Sequence, residues 1–79
     1  MAVLRLFAAA REAAGTGREV VAGATVGDVL RVATERFGAD FARVLDSSQV
    51  WCNGDPVDRD APVGDGDEVA VIPPVSGGA

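Results

Sequence analysis

The stretch Thr25-Val26-Gly27-Asp28-Val29-Leu30-Arg31-Val32-Ala33-Thr34-Glu35-Arg36-Phe37-Gly38 decides the fold. Val26, Val29, Leu30, Ala33 and Phe37 recur at the spacing of a helix with one apolar face. Thr25 is placed to cap its start, and Asp28 suits the positive end of the helix dipole. Gly38 supplies the stop. This is the main helix of the chain.

Upstream, Met1 to Phe7 predicts a strand, with Leu4 and Leu6 on one face and Val3, Arg5 and Phe7 on the other. Ala8 to Ala14 suits a short helical turn ended by Gly15-Thr16-Gly17. Arg18 to Val21 predicts a second strand, returning antiparallel to the first. Downstream, Phe41, Val44 and Leu45 suggest a short helical turn that plugs the end of the core. Ser48 to Asn53 predicts a strand, and Asn53-Gly54 is a type I′ hairpin signal leading to a short return at Asp55-Pro56-Val57. After a loop at 58–62 and a tight turn at Gly64-Asp65-Gly66-Asp67, Glu68 to Ile72 forms the last strand. Pro73-Pro74 stops it, because proline brings no amide donor to a ladder.

The order is thus strand, strand, helix, strand, short strand, strand. One main helix on one face of a mixed sheet of four to five strands buries this pattern most economically. A helix separates the halves, so the first and last strands pair in parallel across the middle. The expected class is α+β, in the β-grasp or ubiquitin-like arrangement. Residues 1–72 make the domain, and 73–79 make a flexible C-terminal tail. A ferredoxin-like fold would need a second full-length helix, for which residues 39–47 are too few.

With 79 residues the chain supports a single modest core, built mainly from Val, Leu, Ala and Phe. The net charge of −5 is unevenly placed. Through Cys52, Glu12, Glu19, Asp28, Glu35, Asp40 and Asp46 cancel Arg5, Arg11, Arg18, Arg31, Arg36 and Arg43. The excess comes from Asp55, Asp58, Asp60, Asp65, Asp67 and Glu68 against Arg59 alone. That stretch repels phosphate backbones and disfavours nucleic-acid binding, whereas a basic protein partner would be attracted. No apolar run reaches the length of a membrane span, and Met1 to Arg5 lacks the pattern of a secretory signal. A lone Cys52 makes no internal disulfide, so a reduced, cytoplasmic setting is expected.

The body offers little catalytic chemistry. Histidine is absent, which removes the Ser-His-Asp and Cys-His nucleophile pairs and the commonest metal ligand. The acidic loops do not fit the twelve-residue calcium pattern, and no metal site or catalytic residue is expected. There is no lysine to form a Schiff base or accept an acyl group. Strand alternation best places Val50 and Cys52 inward, with Trp51 and Asn53 outward. Cys52 then reads as a small core residue rather than a reactive thiol. If Phe7, Trp51, Ala70 and Ile72 share the outer sheet face, that face is an apolar patch of the kind that marks a partner site. The plainer alternative is that Trp51 fills a corner of the core.

Beyond Pro73-Pro74, the chain Val75-Ser76-Gly77-Gly78-Ala79 has little to pack. The diproline stiffens its exit, and Pro73 to Gly78 reaches about 20 Å when extended. A bare terminus of that reach can enter a channel that any Cβ would block. What it offers chemically is a carboxylate, unreactive until it becomes an acyl adenylate.

Residues 7–15 (Phe-Ala-Ala-Ala-Arg-Glu-Ala-Ala-Gly), Ala24 to Leu30, Asn53-Gly54 and, above all, Asp65 to Gly78 with its Pro-Pro-Val-Ser-Gly-Gly ending resemble the small subunit of molybdopterin synthase. The resemblance covers essentially the whole chain. It implies a non-catalytic, sulfur-carrying subunit rather than an enzyme alone. In that family a ubiquitin-activating-type adenylyltransferase uses ATP to adenylate the terminal glycine, which becomes a thiocarboxylate. The tail then enters the large catalytic subunit and supplies the dithiolene sulfurs of molybdopterin. No cofactor is bound by the small subunit itself. By this resemblance Gly78 is the sulfur carrier, and Gly77, Ser76 and Val75 lie in the tail channel. Phe7, Ile72, Pro73, Pro74 and Val75 belong to the docking surface, to which the strand reading adds Trp51. Carriers for cysteine or thiamine synthesis, and a ubiquitin-like modifier or binding module, are the alternatives.

The family ends at the second glycine, whereas this chain continues to Ala79. Ala79 is then a cloning remnant, an extension removed by a protease, or a sign that the chain is not activated as written. Its methyl group in a channel sized for glycine should impede activation.

Overall fold

A computed structural model describes residues 1–74. Three helices cover one face of a single five-stranded sheet. The order along the chain is β1 (Ala2–Leu6), α1 (Ala8–Ala14), β2 (Arg18–Val21), α2 (Val26–Phe37), α3 (Ala39–Asp46), β3 (Gln49–Cys52), β4 (Asp55–Pro56) and β5 (Glu68–Ile72). Across the sheet the order is β2-β1-β5-β3-β4. The expected β-grasp arrangement is present: β1 and β5 run parallel at the centre, with Leu4 beside Val69 and Leu6 beside Val71. On their outer sides β2 pairs antiparallel with β1, and β3 antiparallel with β5.

Local chemistry fixes the ends of these elements. Thr25 is extended, and its side chain accepts the Asp28 amide at 3.1 Å. Asp28 in turn accepts the Ala24 amide at 3.3 Å, so one orphan donor of the helix start and one just before it are satisfied together. The hairpin at Asn53-Gly54 has φ of 51° and 89°, the two positive values a type I′ turn requires. Within α2, Val26, Val29, Leu30 and Ala33 are buried against Leu4, Leu6, Val69, Val71 and Val21 of the sheet.

Two elements differ from the sequence expectation. Residues 39–46 form an eight-residue helix rather than a single turn, because Phe41 and Leu45 both reach the core and reward a second turn of ordered backbone. It still does not make a ferredoxin-like fold, since it plugs the end of the sheet beside Phe37, whose ring meets Phe41 edge-on at 5.3 Å. β1 ends at Leu6, and Phe7, although extended, serves as the residue before α1. None of the described helices is long and apolar enough to cross a membrane.

Candidate functional site

The outer sheet face is the one the helices leave uncovered. Register places Trp51 beside Ala70, Ala70 beside Arg5, and Gln49 beside Ile72. Phe7 continues the line of β1, its amide donating to the Val71 carbonyl at 3.3 Å. Phe7, Trp51, Ala70 and Ile72 therefore do share one face. Phe7 and Ile72 are 43% and 38% exposed, high values for large apolar side chains in so small a domain. Trp51 is half-buried, and its indole N–H donates to the Gln49 side-chain oxygen at 3.1 Å. Val50 and Cys52 face inward and pack against the core. Partial burial, then the charges of Asp67 and Asp55, push the Cys52 thiol up. It is neutral near pH 7 and a poor nucleophile.

β5 leaves the sheet at this face. Pro73 is buried and Pro74 exposed. With Ser47, Gln49 and Ile72 they line an open depression of about 330 Å³ at the root of the tail. Of the two prolines, Pro73 is thus an anchor in the isolated domain, and Pro74 is the one that meets solvent. Val75, Ser76, Gly77, Gly78 and Ala79 lie outside the described residues.

Arg5, which the sequence reading left without a role, belongs to this face. Its guanidinium carbon sits 5.9 Å from the Phe7 ring centroid and a nitrogen lies 3.6 Å from the Glu68 carboxylate. The strand alternation already put Arg5 and Phe7 on one face; what could not be read was that Arg5 stands opposite Ala70 and pairs with Glu68.

The acidic stretch stands elsewhere. Asp65, Asp67 and Glu68 precede or begin β5, and Asp55 follows the hairpin at the same end. The loop carrying Asp58 and Asp60 packs on the start of α2 through Gly27 and the Thr25–Pro62 bridge. Five residues of β5 separate this end from the tail exit, roughly 16 Å. The acidic residues that shortly precede the tail in sequence thus stand at the other end of β5 from its root at Pro73-Pro74.

The uncovered apolar face, the proline-braced exit and the β-grasp define a ubiquitin-like carrier or modifier. The chain belongs to the ThiS family, whose model matches residues 4–78. It is similar to SAMP1, small archaeal modifier protein 1, from Haloferax volcanii, at 37% identity over 98% of both chains with a TM-score of 0.82. A Pyrococcus furiosus protein described as molybdopterin converting factor subunit 1 is 29% identical over 94% of this chain and 97% of that one, with a TM-score of 0.78. Subunit 1 in the complex of subunits 1 and 2 of the Helicobacter pylori molybdopterin-converting factor shares the fold. It is 20% identical over 98% and 97%, with a TM-score of 0.71.

Proposed function

We propose that this protein carries sulfur as a thiocarboxylate on Gly78 and delivers it to molybdopterin synthesis. The observation that carries the reading is the geometry of the exit. The central strand β5 runs out through a buried Pro73 beside exposed Phe7 and Ile72, so a partner gripping that face also receives the tail. Hydrolysis of the Gly78–Ala79 peptide bond first releases alanine and leaves a free carboxylate on Gly78, and the chemistry at the tail follows from that carboxylate. One oxygen attacks the α-phosphate of ATP in an activating adenylyltransferase, giving the acyl adenylate and releasing pyrophosphate. Sulfur at the sulfide level then attacks the acyl carbon and displaces AMP, leaving the thiocarboxylate. Glycines at 77 and 78 suit a channel with no space for a side chain. The work falls in a reducing cytoplasm, with no cofactor held by this chain. The likeness to converting factor subunit 1 favours molybdopterin as the destination, and the complex in Helicobacter pylori favours a second, catalytic subunit as the acceptor.

A second reading has its own support, since SAMP1 is a modifier by name at 37% identity. There the activated Gly78 would be captured by an amine of another protein. Incubation with an activating enzyme, ATP and a sulfur donor tests both. The form ending at Gly78 should gain the mass of sulfur replacing oxygen, and the form ending at Ala79 should not. Equal conversion of both forms would remove the role given to Gly78. Transfer of that sulfur to a pterin in the presence of a converting factor subunit 2 supports the first reading. Isopeptide conjugates without such transfer would establish the second.

A further inference from the structure

At the tail-exit end of the sheet, on the side of β1 away from β5, an open cleft of about 420 Å³ is walled by Arg5, Arg11, Thr16 and Arg18, with Phe7 on its rim. We propose that this cleft binds the polyphosphate group of a small molecule.

The case begins with a cost. Arg5 and Arg18 stand directly opposite each other on β1 and β2, a like-charge pair that works against the sheet. Arg11, from α1, is brought to the same place: a Cβ on Gly17 would lie 3.3 Å from its Nε. The bare glycine is what lets that side chain lie across the turn. Of the three guanidiniums, only Arg5 has a carboxylate partner among the described residues, Glu68 at 3.6 Å. Two positive charges are left uncompensated in a chain whose net charge is −5.

Geometry adds shape to charge. Thr16 is pinned by Arg18, accepting its amide at 3.3 Å and donating to its carbonyl at 2.9 Å. The turn that carries Arg18 is therefore ordered. Guanidinium forks match the paired oxygens of phosphate groups, and two unpaired forks beside a third match an anion of two or more charges. A single carboxylate would neutralise only one of them. Asp55, Asp65 and Asp67 stand at the opposite end of β5, and of the acidic run only Glu68 reaches back to Arg5, so the field along the strand guides an anion toward this cleft.

The test is an NMR titration of the intact chain with inorganic pyrophosphate at low salt. Saturable shifts are expected at the amides of residues 5–8 and 16–18. In the double variant Arg11→Gln/Arg18→Gln, affinity should drop about tenfold or more as two charge-assisted contacts are lost. Its melting temperature should be unchanged or higher, because like charges have been separated. Gly17→Ala keeps every arginine yet should also weaken binding, by displacing Arg11. ADP serves as the second arm. Equal affinity for ADP and pyrophosphate shows that the phosphates alone are read, and tighter ADP binding shows that a nucleotide is the better ligand; either supports the site. Absence of saturable shifts, or shifts undiminished in the double variant, overturns it. So does tighter binding of a tetraglutamate peptide than of pyrophosphate, which would make the cleft a seat for an acidic protein segment.

Discussion

Gly23 shows how one residue ties the β2–α2 connection to the core. A Cβ there would lie 2.8 Å from Val29 Cγ2 and 2.9 Å from the Val29 amide nitrogen. Val29 is fully buried and its amide donates to the Thr25 carbonyl, so neither atom can retreat cheaply. Gly23→Ala should therefore destabilise the domain by about 1–3 kcal/mol. A thermal melt would register this as a loss of several degrees; an unchanged midpoint would mean that the connection shifts freely. Nothing in the sequence singles Gly23 out, because a steric contact between a loop and a helix six residues on has no signature in composition. Thr25 was different: its type and place before an apolar-periodic run identified it as the cap, and the side chain does accept the Asp28 amide. Phe7 was legible for the same reason, since period-two alternation assigns a face whatever the tertiary partners are.

Among the elements, the turn before β5 sets the acid sensitivity of the domain. The Asp67 carboxylate accepts the Gly64 amide at 2.9 Å and the Asn53 side chain at 3.2 Å, and these bonds hold its carboxyl below the ordinary value. Asp65 is lowered by its hydrogen bond to the Met1 ammonium group and by that group's charge. A carboxyl whose pKa is depressed on folding contributes stability that is complete above its unfolded pKa and lost as pH falls through the folded one. The melting temperature should hold between about pH 5 and 7 and fall below about pH 4, toward and past the lowered values. Asp67→Ala should melt lower at neutral pH and show a shallower acid decline. Parallel acid declines in parent and variant would assign the sensitivity to other groups. The turn itself was readable from Gly64 to Asp67, with Gly66 at φ 82° where a positive angle is needed. Its bond to Asn53, in a hairpin fourteen residues away, was not. The eight-residue α3 was under-read for a similar reason: its second turn is stabilised by where Leu45 lands, not by propensity alone.

For the whole molecule, the central feature is polarity along the parallel pair of strands. The apolar exit face and the Arg5–Arg11–Arg18 cleft stand at one end, and the acidic turns at the other. Under the proposed function, docking of a converting factor subunit 2 should accordingly depend on the exit end. Replacing Phe7 or Ile72 by Ala is expected to weaken a complex with a converting factor subunit 2 by about tenfold each, a loss of more than about 1 kcal/mol. Glu35→Gln, on the exposed side of α2 across the domain, should leave affinity unchanged; calorimetry reads all three, and an equal effect at Glu35 would displace docking from the sheet face. The amino-acid sequence by itself determined the main helix, the strands and their faces, the β-grasp order and the Pro-Pro and Gly-Gly pairs of the tail. Periodicity, caps and turn residues act over a few neighbours, so they can be read locally. Only the tertiary structure decided that Arg5, Arg11 and Arg18 converge, that Pro73 anchors while Pro74 projects, and that the acidic turns stand at the end of β5 away from the Pro73-Pro74 exit. Those outcomes depend on strand register and on the parallel return of β5, which join residues more than sixty positions apart. Charge spacing along a chain carries no information about such distances until the sheet is closed.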